Sequence, residues 1–264
     1  MIRSLHTAAT GMDAQQTNID VIANNLSNVN TVGFKRARAE FQDIMYQQMR
    51  AAGNGDGTVG NTTPTNPLEV GQGVMTIATQ KMFGQGDMIA TNNELDFAIE
   101  GEGFLKVKMP DESISYTRNG VFKRNADGLV VNAEGYPMEP PLTVPAEALQ
   151  VIVELDGIVK ARMPGETEMR QIGQVEMAVF VNPAGLESLG HNLLAETEAS
   201  GVPIDGVPGE EGVGNIRQGM LESSNVKVME EMIGMITSQR AYEINSKSIQ
   251  TSDDMLARVN QLKR

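Results

Sequence analysis

The two ends of the chain carry helical apolar stripes that neither end can hide alone, and the stretch between them carries none. Residues 1–30 place Ile2, Leu5, Ala9, Met12, Ile19, Ala23 and Leu26 at alternating steps of three and four, broken only by Gln16, the spacing of a coiled-coil seam. Near the other end Val228, Met235, Tyr242, Ile249 and Leu256 recur at every seventh residue, and Met229, Ile233, Ile236, Ile244 and Met255 widen the stripe. Each helix must therefore pack on the other or on copies in neighbouring molecules. Ordering both ends costs more backbone entropy than their stripe residues return. The expectation is that the ends are loose in a single chain and become ordered on assembly.

The first helix is expected from about Ser4 to Asn28, ended by Thr31-Val32-Gly33, where Gly33 can take the left-handed conformation of a C-terminal cap. Residues 34–50 fit either a second helix or an extended arm, and residues 51–67, rich in Gly, Asn, Thr and Pro, read as a long loop. From Val70 to about Gln218 the pattern changes to short β-type runs: Val74 to Thr79, Phe104 to Met109, Ile114 to Arg118, Leu129 to Asn132, Val151 to Leu155 and Val175 to Val181. Asn119-Gly120, Asp127-Gly128 and Asp156-Gly157 are hairpin-type dipeptides between or beside them. Residues 200–214 form a second loop, after which Ser223, Ser224 and Asn225 offer N-caps for the C-terminal helix, and Lys263 and Arg264 suit its C-terminal dipole. The fold class expected is α+β: coiled-coil-like terminal helices brought together (1–30 and 222–264), a connecting arm (31–70), and a mainly antiparallel all-β domain (71–221).

Charge follows the same division. Lys plus Arg against Asp plus Glu is 5 against 4 in residues 1–50, 10 against 24 in 51–220, and 6 against 6 in 221–264. Near-neutral ends suit close packing of identical copies, and an acidic middle suits a hydrated outer face. No basic stripe exists to neutralise phosphates, so no nucleic-acid partner is expected. The chain has no cysteine, which removes disulfides, thiolate metal sites and cysteine nucleophiles. The N-terminal residues lack the apolar run of a secretory signal, and no segment is long and apolar enough to span a bilayer. On those rules alone the protein would be cytoplasmic.

Candidate chemistry is sparse. His6 and His191 are far apart in sequence, and no G-x-S-x-G elbow is present. Gly53-Asn54-Gly55-Asp56-Gly57 lacks the acidic spacing and the terminal Glu of a calcium loop, and Gly101-Glu102-Gly103 lacks the third glycine of a dinucleotide site. No catalytic residue, cofactor, metal or small-molecule substrate is expected.

Residues 23–36, ANNLSNVNTVGFKR, place Asn24, Asn25, Asn28 and Asn30 at a helix end, where amides cap or bond to adjoining helices. This segment resembles the N-terminal signature of the axial proteins of the bacterial flagellum, the rod and hook subunits. The stretch ESSNVKVMEEMIGMITSQRAYEINSKSIQTSDDML (222–256) resembles the partner signature of the same family, and TNNELDFAIEGEGFLKV (91–107) and YTRNGVFKRNADGLVVNAEGYPM (116–138) resemble its β-domain motifs. Within that family a length of 264 residues and the segment Tyr46–Val74 look like a rod subunit, since hook subunits are usually longer, with an additional outer domain.

The resemblance implies a self-assembling subunit of a helical homopolymer whose neighbours are proximal rod and hook subunits, surrounded by P- and L-ring proteins and exported through the type III apparatus without a cleaved signal. That places it in the periplasm-spanning basal body and overrides the cytoplasmic assignment. The self-assembly residues expected on this reading are Leu5, Met12, Ile19, Ala23, Asn24, Asn25, Leu26, Asn28, Asn30, Gly33, Phe34, Met235, Tyr242, Ile249 and Leu256.

Overall fold

A computed structural model describes residues 2–50, 67–165, 168–210 and 212–262. The chain divides into two compact units, one of Met1–Leu26, Ala37–Gln80 and Val228–Arg264, the other of Ser27–Arg36 and Lys81–Lys227.

The first unit holds helix α1 (Ile2–Ser27), strands β1 (Ala37–Asp43), β2 (Gln47–Arg50), β3 (Leu68–Val70) and β4 (Val74–Lys81), and helix α2 (Val228–Leu262). Residues 37–43 and 47–50 are thus extended, which settles the alternative of helix or arm. Strands β1 and β4 pair, as do β2 and β3. Helix α2 begins on Val228 with Glu230 and Glu231 in its first turn, where carboxylates complement the helix dipole. The amide of Asn225 is engaged within the second unit. It accepts from Arg36 N–H at 2.8 Å and donates to the carbonyls of Met82 and Gly84 at 2.8 and 2.9 Å. The basic pair Lys263 and Arg264, and the Gly-rich segment 51–66 with its calcium-like sequence, lie outside the described residues.

The described strands of the second unit all pair antiparallel. Its largest sheet runs, in spatial order, Glu187–Gly190, Leu193–Ala195, Ile114–Thr117, Phe104–Lys108, Met177–Val179 and Ile204–Gly206, with Met138–Glu139 also pairing Phe104–Lys108. A meander of Gln150–Val153, Ile158–Arg162 and Arg170–Gln174 lies beside it in sequence. Strand Phe104–Lys108 is covered on both faces. Leu105 and Val107 enter the main core with Phe97, Phe122, Val144, Val159 and Met177, whereas Phe104 turns the other way to Tyr116, Phe180 and Leu194. That second face is an edge-to-face aromatic chain: Phe83 to Phe104 at 5.4 Å, Phe104 to Phe180 at 5.8 Å, and Phe180 to Tyr116 at 4.7 Å between centroids.

Two of the three glycine dipeptides turn hairpins. Gly128 (φ 84°) joins Lys123–Arg124 to Val130–Val131, and Gly157 (φ 76°) joins Gln150–Val153 to Ile158–Arg162. Asn119-Gly120 does not turn one. Gly120 is required by proximity instead, since a Cβ there would sit 1.5 Å from the Phe97 carbonyl oxygen. Strand Ile204–Gly206 interrupts what the sequence presents as a loop at 200–214.

Candidate assembly interface

Both helices are formed and paired within one chain, against the expectation of loose ends. The seam between them is polar. Asn25 Nδ2 donates to Glu231 Oε2 at 3.1 Å, Asn18 Nδ2 donates to Ser238 Oγ at 2.8 Å, and Ser4 Oγ meets Ser252 Oγ at a longer 3.4 Å. At Gly11 a Cβ would lie 2.8 Å from Asn245 Nδ2, and at Gly234 one would lie 3.3 Å from Ile22 Cδ1, so both glycines let the helix backbones approach. Ala8, Ala14, Ile22, Asn25, Glu231, Ser238 and Ser252 are buried.

The residues expected to build the interface flank this seam. Leu5, Met12, Ile19, Leu26, Met235, Ile249 and Leu256 are half-buried, and Asn28 and Phe34 likewise; Ala23, Asn24, Asn30 and Tyr242 are exposed; Asn25 and Gly33 are buried. Of the four asparagines, Asn25 alone is fully enclosed. Besides Glu231, its side chain brackets Ala37, donating to the carbonyl at 2.8 Å and accepting from the N–H at 2.9 Å. It thereby ties α1 to the start of β1. The Asn28 carbonyl receives the Thr31 N–H at 3.1 Å in the turn that follows α1.

Several large apolar side chains of α2 remain uncovered: Met229 is 70% exposed, Ile233 62%, Ile236 56% and Ile244 64%. The β arm of the same unit adds Met45, Tyr46, Met49, Met75 and Ile77, all exposed. An isolated soluble chain rarely leaves so many large apolar groups open in one unit unless they meet a partner. β4 is held against α1 by Gly73 (φ 118°), whose position leaves room for Thr10 Oγ1, 2.2 Å from where a Cβ would stand.

The second unit contains a buried ionic cluster absent from the sequence-derived set. Lys35 Nζ is 2.6 Å from Glu222 Oε1 and donates to the Gly84 carbonyl at 2.9 Å; Arg118 Nη1 is 3.4 Å from Glu222 Oε2, and its Nη2 donates to the Gly101 carbonyl at 2.8 Å. Their side chains are 4%, 1% and 5% exposed for Lys35, Glu222 and Arg118. The Arg118 guanidinium also lies 5.3 Å over the Phe104 ring. Burial pulls the Lys35 amine below the ordinary lysine range, and Glu222 restores it only in part; Arg118 is lowered by burial and opposed by Glu222 in the same way. Gly33 (φ 70°) presents its N–H to the Glu222 carbonyl at 2.8 Å, and a Cβ there would be 2.6 Å from the Arg118 carbonyl carbon. Three of the four recognised sequence segments thus meet at Glu222, with Lys35 and Arg118 at its carboxylate and Gly33 at its backbone carbonyl.

These segments are also where the chain matches known proteins. Residues 5–35 match the family described as flagella basal body rod protein, residues 98–161 the flagellar hook protein FlgE/F/G D1 domain, and residues 217–262 the flagellar basal body rod FlgEFG protein C-terminal region. The chain belongs to the flagellar rod and hook protein family. Its relatives include the flagellar basal-body rod protein FlgG of Borreliella burgdorferi, 50% identical over 268 residues with both chains covered in full. FlgG of Buchnera aphidicola is 49% identical over 99% of this chain and all of its own, and FlgG of Bacillus subtilis is 34% identical with both covered in full. The chain is accordingly a structural subunit of the flagellar basal-body rod, similar to the distal rod protein FlgG.

Proposed function

We propose that the chain polymerises into the tubular distal rod and transmits torque as a non-enzymatic drive shaft. The observation that carries this is the division of labour in the first unit: polar groups satisfy the α1–α2 seam, while Met229, Ile233, Ile236 and Ile244 stay exposed. Burying such side chains between copies is worth about 1.5–3 kcal/mol each. Repeated around a tube, these contacts give a stiff lateral lattice from individually modest terms.

In this reading segments 1–30 and 222–264 build the tube and segment 31–70 bridges neighbours. The flanking residues Leu5, Met12, Ile19, Ala23, Leu26, Met235, Tyr242, Ile249 and Leu256 belong to the copy-to-copy interface. So do Asn24, Asn28, Asn30 and Phe34, whereas Asn25 and Gly33 act inside the subunit. The acidic region 71–221 meets the surrounding P- and L-rings, keeping a hydrated surface that resists sticking during rotation. Proximal rod and hook subunits are the axial neighbours. Export proceeds through the type III apparatus without a cleaved signal, to a periplasm-spanning position. A chain with no cysteine suits passage in an unfolded state.

Electron microscopy of concentrated purified protein tests the proposal. Tubes of uniform diameter support it, and discrete small oligomers at every concentration would count for a binding module instead.

A further inference from the structure

The seam contacts obey one rule. Ser4 meets Ser252, Gly11 meets Asn245, Asn18 meets Ser238 and Asn25 meets Glu231. Each step of seven residues along α1 is matched by a step of seven back along α2, so the two residue numbers of a rung have the same sum throughout. Ile22 against Gly234 keeps that sum. In a seam of identical leucines a slip of one heptad recreates equivalent contacts. Here it does not.

Sliding α2 one heptad one way sets Asn25 against Ser238 and removes the buried Glu231 from its amide partner. Sliding it the other way carries Asn25 past Val228, where α2 begins, and puts Asn18 against Glu231. A parallel pair of α2 helices would set Glu231 against Glu231. The clamp of Asn25 on both backbone groups of Ala37 fixes the end rung to β1, so α1 cannot slide independently.

We propose that these rungs are a register lock, with Glu231 and Ser238, the unlike partners of two like amides, as its specificity-determining residues: they select one antiparallel alignment of α1 on α2 within a chain and exclude slipped and like-with-like pairings. The lock gives up apolar burial in the seam, which a leucine at each rung would supply. It concerns the single subunit and stands or falls independently of tube formation.

Because the chain has no cysteine, introduced pairs report register cleanly on the dilute full-length protein. Ser4→Cys with Ser252→Cys reads the observed alignment, and Ser4→Cys with Asn245→Cys reads a one-heptad slip. In the otherwise native chain, mild oxidation is expected to give an intrachain disulfide with the first pair and little with the second. With Glu231→Ser added, which gives Asn18 and Asn25 the same kind of partner in either register, helix content by circular dichroism is expected to hold. The ratio of slipped plus interchain product to aligned product should increase about fivefold or more. If that variant misfolds, Glu231→Ala with Ser238→Ala makes the same comparison, again giving both amides one kind of partner. Retention of the aligned disulfide as the sole product in these backgrounds would overturn the proposal. Loss of helix content in both backgrounds would overturn it too, because the rungs would then be stabilising the pair rather than selecting it.

Discussion

Lys35 and Glu222, 187 residues apart in sequence, meet at 2.6 Å in an ion pair sealed from solvent. Arg118 approaches the same carboxylate at 3.4 Å, so the buried group holds two cations and one anion. That imbalance ranks the consequences of removing each member. Glu222→Gln leaves two cations enclosed without a counter-charge and should destabilise the chain by roughly 3–5 kcal/mol. Lys35→Met leaves a matched Arg118–Glu222 pair and should cost clearly less. Urea unfolding of the full-length protein measures both, and equal losses would contradict the ranking.

Lys106 gives a pH signature. Its Nζ lies 2.9 Å from Glu176 and 3.0 Å from Asp205; burial lowers its pKa, but the two carboxylates outweigh burial and hold it above the ordinary lysine value of 10.5. A base with a raised folded-state pKa contributes stability in full below its unfolded value and loses it as pH rises through the folded value. The stability difference between the native chain and Lys106→Met should therefore be constant from neutral pH to about 10 and shrink above it. Lys35, lowered by burial, has the opposite sign. Between its lowered pKa and 10.5 the unfolded chain binds more protons, so its contribution rises with pH there.

Gly33→Ala should destabilise by about 1–3 kcal/mol from backbone strain alone, before the clash of the new Cβ with the Arg118 backbone at 2.6 Å. A fall in melting temperature checks it, together with loss of the near-ultraviolet signal of the Phe104, Tyr116 and Phe180 cluster. Gly135→Ala, also at positive φ but with open space around it, is the control and should cost only the strain.

How much of this was readable beforehand follows from what apolar pattern can signal. The two helices, the antiparallel region, the left-handed Gly33 and the hairpins at Gly128 and Gly157 all have a periodic or dipeptide signature. The seam has none in the apolar pattern. Pattern reading follows large apolar side chains, and so it centres the α1 stripe on Leu5, Met12, Ile19 and Leu26. The seam runs one residue away, through Ser4, Gly11, Asn18 and Asn25. The signal that finds it is small and polar residues at steps of seven in both helices. Lys35, Arg118 and Glu222 escape for a related reason: a lone charge in sequence reads as surface, and only the convergence of distant segments shows it to be enclosed.

The exposed face of α2 carries the claim that the subunit builds a tube. Ile233→Asp with Ile236→Asp changes two residues that are 62% and 56% exposed, so the fold of the single chain should shift by no more than about 1 kcal/mol, about 0.5 for each. Sedimentation and electron microscopy of this variant beside the native chain, at concentrations where the native chain forms tubes, make the direct measurement. A folded, monomeric variant that forms no tubes is the expected result; tubes of native length and yield from the doubly charged variant would contradict it.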